Sequence, residues 1–130
     1  MKRFTAEWVR KAEADFVAAG QLASAKPPVH DPLCFHCQQI AEKYLKALLE
    51  EHGIPVPRTH DLDVLLSLVL PQQPKMASLR RPLNILTQYA VEYRYPGLHA
   101  SSRQARSALR HAARVREHVR RVLGLRVGKH

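Results

Sequence analysis

The chain has 130 residues, 45% of them apolar, two cysteines and a formal net charge of +10. That length suits one domain that buries a core without a disulfide framework or a structural metal. The apolar stretch Leu65–Leu70 is far too short to span a bilayer and the start MKRFTAEWVRKAEADF has no apolar leader core, so the expected setting is the cytoplasm.

A first helix is expected over residues 3–25. Val9, Ala12, Phe16, Ala19 and Ala23 form its apolar stripe, and Glu7–Lys11 and Lys11–Asp15 are pairs of opposite charge one turn apart. Pro27-Pro28 ends it. Asp31 is the expected N-cap of a second helix with Pro32 at its first position. The second helix, Leu33 to Gly53, is the longest unbroken helical pattern before the C-terminal arm, and Gly53 stands where a left-handed terminating residue belongs. Leu33, Cys37, Ile40, Ala41, Tyr44, Ala47 and Leu48 share one stripe, with Gln39, Lys43, Lys46 and Glu50 opposite. Phe35 breaks this pattern. It aligns with Glu42 and Leu49 on the outer side, where large apolar groups need a second surface.

The prolines of IPVPRT hold the next segment extended. Thr59 or Asp61 can cap a short third helix that ends at Leu70. Leu79, Leu83, Leu86, Ala90 and Tyr93 form the stripe of a fourth helix, which Pro82 either starts or kinks. Pro96-Gly97 stops it. Ser101 or Ser102 caps a fifth helix to about Leu123, with Ala105, Ala108, Leu109, Ala112, Val115, Val119 and Val122 inward and Arg103, Arg106, Arg110, Arg114 and Arg121 outward. No run alternates as a strand would. The expected fold is all-α: an antiparallel up-and-down bundle of four to five helices in one domain, with its core within about 3–123 and a frayed tail over 124–130.

Charge is unevenly placed. Residues 1–100 hold 12 basic and 10 acidic side chains, whereas residues 101–130 hold nine basic and one acidic. This asymmetry points to an anionic partner at the last helix, or to a solvated basic face. The Cys34-Phe35-His36-Cys37 stretch invites a zinc or redox reading, but no second ligand pair completes a zinc set and no βαβ pattern accompanies it. Buried structural cysteines and no metal are expected. His60-Asp61 can be read as a base with its orienting carboxylate, or as a capped helix start; the absence of a nearby nucleophile favours capping.

CFHCQQIAEKYLKALLEEHG followed by PRTHDL resembles the signature helix and turn of HEPN-domain proteins (higher eukaryote and prokaryote nucleotide-binding). WVRKAEADFVAA and YAVEYRYPG resemble the same family in the same order, so the resemblance runs from about Thr5 to Leu123. It implies a helical bundle, no cofactor, and a nucleotide- or RNA-binding component that acts with a small nucleotidyltransferase, as in toxin–antitoxin pairs. Active family members are metal-independent endoribonucleases with an Arg and a His four to six residues beyond it. A third reading is a purely structural protein-docking module.

Two segments match the Arg–His spacing: Arg94 to His99 and Arg106 to His111. Arg and His are frequent enough here that chance supplies roughly two to three such matches. Arg106 and His111 lie about 140° apart on a helix, whereas Arg94 and His99 straddle Pro96-Gly97 and can converge. Arg94 and His99 are therefore the candidate catalytic pair. Tyr95 departs from the small polar residue the family motif prefers. The position that carries a modifiable tyrosine in some members is Ser101 or Ala113 here. Lys43, Arg94, Arg103, Arg106, Arg110, His111 and Arg114 form the expected nucleotide- or RNA-binding set. Phe35 and Leu49 are the expected contacts of a homodimer.

Overall fold

The computed structural model describes residues 1–128. Five α-helices run α1 Arg3–Ser24, α2 His30–Glu51, α3 Leu62–Val69, α4 Arg80–Glu92 and α5 Ser102–Val122, with a 3-10 segment at Pro74–Leu79 before α4. Among the described residues there is no strand, and no helix is long and apolar enough to cross a membrane.

Side-chain contacts fix the topology. The N-terminal end of α1 meets the C-terminal end of α2 through Lys2 and Glu51, and Asp15 meets His36 and Lys43, so α1 and α2 are antiparallel. Ser78 and Arg114 likewise make the 3-10 segment and α4 antiparallel to α5. His30 pairs with Ala100 and Tyr44 with Arg120, so α2 and α5 run in the same direction across the bundle. This is the expected up-and-down arrangement, with α3 as a short excursion between α2 and α4.

The α2 helix sits at the centre and packs against α1, α3, α4 and α5. Its burial is therefore not confined to one stripe. Leu45 and Leu49 are as fully buried as Ile40 and Tyr44, and Gln38, Glu42 and Lys46 are buried as well. This overturns the expectation that Leu49 offers an outward dimer contact, because its side chain belongs to the core of its own chain. Polar groups survive in that interior because they satisfy one another: Lys46 Nζ donates to Glu42 at 3.1 Å and Gln38 Nε2 to Glu42 at 3.2 Å. Asp15, expected to pair along α1 with Lys11, turns inward to His36 and Lys43 instead.

Several helix ends follow local rules, and one expected cap does not. Gly53 (φ +70°) and Gly124 (φ +73°) close α2 and α5, each followed by a residue whose N–H reaches five residues back, Ile54 to Leu49 and Leu125 to Arg120. Asp61 caps α3 by accepting from Asp63 and Val64, and Ser101 with Gln104 forms a capping box on α5. Pro82 falls in the first turn of α4, where its missing N–H is not needed. The exception is Asp31. The helix begins two residues earlier, at His30 with Val29 in the cap position, and the Asp31 carboxylate accepts from the Ala100 N–H at 2.7 Å instead.

The last helix is tied to the first by a buried polar group. Arg116 grips Glu13 through two nitrogens at 2.7 and 2.8 Å, and its guanidinium stacks 4.2 Å from the Phe16 ring centroid. Tyr44 donates to the same carboxylate at 2.5 Å. Arg116 and Arg120 also donate to the Val127 and Arg126 carbonyls, so residues 124–127 are fastened to α5 rather than frayed; residues 129–130 lie outside the described part.

Candidate functional site

The site is built where the loop between α4 and α5 crosses the start of α2. His30 Nδ1 donates to the Ala100 carbonyl at 3.2 Å while Asp31 accepts from the Ala100 N–H. One residue is thus held by both its backbone groups, which pins the Pro96-Gly97 turn. Asp31 also takes a hydrogen bond from His99 Nδ1 at 3.3 Å.

Beside this pinned loop, α2 and α4 border a groove of about 220 Å³ whose walls include Phe35, Gln38, Gln39, His60, Val91 and Arg94. Arg94 projects from the end of α4 with its guanidinium 5.9 Å from the Phe35 ring centroid. Among the described residues no carboxylate pairs with it, so its fork of donors is available to an anion. Phe35 is 38% exposed. An arginine with a free fork beside an accessible aromatic ring is a pairing that suits a phosphate and a base.

His60 completes the groove, and the sequence reading missed its partner. Its Nδ1 lies 2.9 Å from Oε1 of the buried Glu42, and not against Asp61, which is engaged in capping. The carboxylate can only accept, so Nδ1 carries a proton, and in the neutral ring Nε2 is the acceptor. Despite this bond the His60 side chain is 84% exposed. The clue was present in the sequence: Glu42 lies seven residues after Phe35, on the same line of α2.

Arg94 and His99 converge only in part. Both border Asp31, since Arg94 and Asp31 face an adjoining hollow, but His99 lies with His30 and Ala100 in a separate one. The groove partner of Arg94 is His60. Arg106 and His111 do not meet: Arg106 donates to Ser102 on the side facing Ala23 and His30, while His111 sits beside Arg81 of α4. Lys43 is also displaced from the expected binding set. It is bound to Asp15 at 2.5 Å between α1 and α2, where it offsets a nearly buried carboxylate.

The two cysteines are free and fully buried. Burial, with Asp31 nearby, pushes the Cys34 thiol up to about 11, and burial raises Cys37 further still, so neither supplies a thiolate nucleophile at neutral pH. Among the described residues no three His, Cys, Asp or Glu side chains converge as metal ligands. A roomier concavity of about 360 Å³ lies beside Trp8 and Lys46, but Glu7 and Glu50 offset its cations. On α5, Arg103, Arg106, Arg110, Arg114 and Arg121 are all exposed.

A helical bundle of this connectivity defines a class that comparison identifies. The HEPN domain family model matches residues 5–122, so the chain belongs to the HEPN domain family. The crystal structure of an archaeal HEPN homologue superposes with a TM-score of 0.69 at 27% identity, over 95% of this chain and 99% of that one. No curated protein matches the chain.

Proposed function

We propose that the protein is a nucleotide- or RNA-binding HEPN component that acts with a small nucleotidyltransferase, as in toxin–antitoxin pairs. The observation that carries the binding part is the unpaired Arg94 guanidinium beside Phe35, in a groove with the acceptor nitrogen of His60. The exposed arginines of α5 offer a further positive surface to a strand. The partner part rests on family membership alone. It predicts a short nucleotidyltransferase reading frame beside the gene and a complex when the two are co-expressed. A homodimer through Phe35 belongs to the same reading, since Phe35 and Val91 leave apolar area exposed beside Arg94.

A second reading, metal-independent endoribonuclease, is favoured by one specific feature. Two imidazoles flank the surroundings of Arg94, and each holds its Nδ1 on a carboxylate, His60 on Glu42 and His99 on Asp31. Such a histidine can accept a proton from a ribose hydroxyl while a guanidinium steadies the phosphate. Incubation of the purified protein with tRNA and mRNA in EDTA separates the readings. Cleavage that disappears in Arg94→Ala establishes the enzyme; binding without cleavage leaves the binding component. Neither binding nor cleavage would reject both and favour a docking module.

A further inference from the structure

The α5 helix carries more than an arginine stripe. His111 and His118 are seven residues apart, hence on one side of the helix and about 10 Å apart along its axis. Arg114 lies between them, three residues after the first and four before the second. Cations from two other elements close the cluster: Arg81 of α4 acts on His111, and Lys75 of the 3-10 segment acts on His118. Arg110 and Arg121 flank the two ends. Arg114 Nη2 donates to the Ser78 carbonyl at 3.4 Å, which fastens the helix to the segment bearing Lys75. Two carboxylates are each held by an arginine. Asp63 pairs with Arg80, and Glu117, the one acidic residue of α5, is 3.9 Å from Arg121.

We propose that this face of α5, with the 3-10 segment and the first turn of α4, binds the phosphate backbone of single-stranded RNA, and that His111 and His118 each take up a proton as the strand arrives. The proposal rests on the RNA-binding reading above and adds a second surface to the groove of Arg94. In the free protein the two rings are held neutral, first by their half-burial and then by the surrounding cations, which lower both below the usual histidine value. A phosphate strand among Lys75, Arg81, Arg110, Arg114 and Arg121 reverses the local field. Each imidazole then gains a proton and becomes a charged donor to a phosphate oxygen. The sign follows directly. The bound form holds the protons more tightly than the free form, so affinity rises as pH falls toward and below the ordinary histidine value of about 6.5.

Fluorescence anisotropy of a labelled single-stranded RNA oligonucleotide, at constant ionic strength from about pH 8 to about pH 5.5, tests this. Inorganic polyphosphate serves as a second probe by competition or calorimetry. Wild-type affinity is expected to rise about tenfold or more across the range, and the rise is expected to vanish in the His111→Gln, His118→Gln double variant. Lys75→Glu with Arg81→Glu is expected to weaken binding throughout, with helical circular dichroism intact. RNA binding that ignores pH, or a pH dependence that survives in the double variant, overturns the proposal and leaves the RNA reading standing. Proton-linked binding of polyphosphate with no binding of RNA upholds the surface and overturns the RNA reading. Silence toward both probes overturns both.

Discussion

His60 donates from Nδ1 to the buried carboxylate of Glu42 at 2.9 Å, which joins the segment leading into α3 to the middle of α2. The same carboxylate neutralises Lys46, whose side chain is 7% exposed. Removing Glu42 therefore strands a buried ammonium group as well as freeing the histidine. Glu42→Ala is expected to lower unfolding stability by about 3–5 kcal/mol in urea titrations. His60→Ala, which removes only the exposed partner, is expected to cost far less. Equal losses would place His60 in the structural network and not in the groove.

The groove geometry also predicts which histidine matters if RNA is cleaved. Arg94→Ala should abolish cleavage in EDTA, and His60→Ala should depress the rate more than His99→Ala, because His60 shares the groove with Arg94. A larger loss in His99→Ala would assign the proton transfer to the hollow beside Asp31.

Phe35 and Leu49 were expected to act together and now part company. Phe35→Asp should give a monomer with its helical circular dichroism retained, read by sedimentation against the wild type. Leu49→Ala should leave the oligomeric state alone and lower stability by about 2–5 kcal/mol, since its side chain is wholly inside the bundle. A Phe35→Asp protein that stays dimeric, or unfolds, would place that ring in the core of one chain.

Glu13 sets an acid limit on stability. Burial alone would raise its pKa, but hydrogen bonds from Arg116 and Tyr44 and the charges of Arg116 and Arg120 bring it below the ordinary 4.5. A carboxylate depressed in the folded state contributes stability that is present above its unfolded value and is lost as pH falls through its folded one. The stability gap between wild type and Glu13→Gln should therefore be wide at neutral pH and narrow below about pH 4. A gap that is constant with pH would show that the Arg116 pair adds nothing to the acid response.

The helices, most of their ends and the inward stripe of α5 were legible because they depend on local signals: a capping residue, a terminating glycine, a proline, a period near 3.6. The centrality of α2 was not. A helix surrounded on several sides buries Gln38, Glu42 and Lys46 once they pair, and no periodicity announces that a glutamate will find a lysine and a histidine. For the same reason Asp31, a sound cap by type, was drawn to Ala100, almost 70 residues later in the chain. Arg94 was found because a spacing marked it. The capping role of Asp61 was legible for the same local reason, but the groove partner His60 finds its carboxylate, Glu42, only in space.

The salt dependence of RNA affinity bears most directly on the central claim that this bundle holds phosphates with its arginines. Nitrocellulose binding of a single-stranded RNA across a salt series should show affinity falling steeply with salt for the wild type. Each of Arg94, Arg103, Arg106, Arg110 and Arg114 replaced by Ala should flatten the logarithmic slope by about 0.7. An affinity that is undetectable, or that does not change with salt, would contradict the claim and leave the basic face of α5 as a solvated surface.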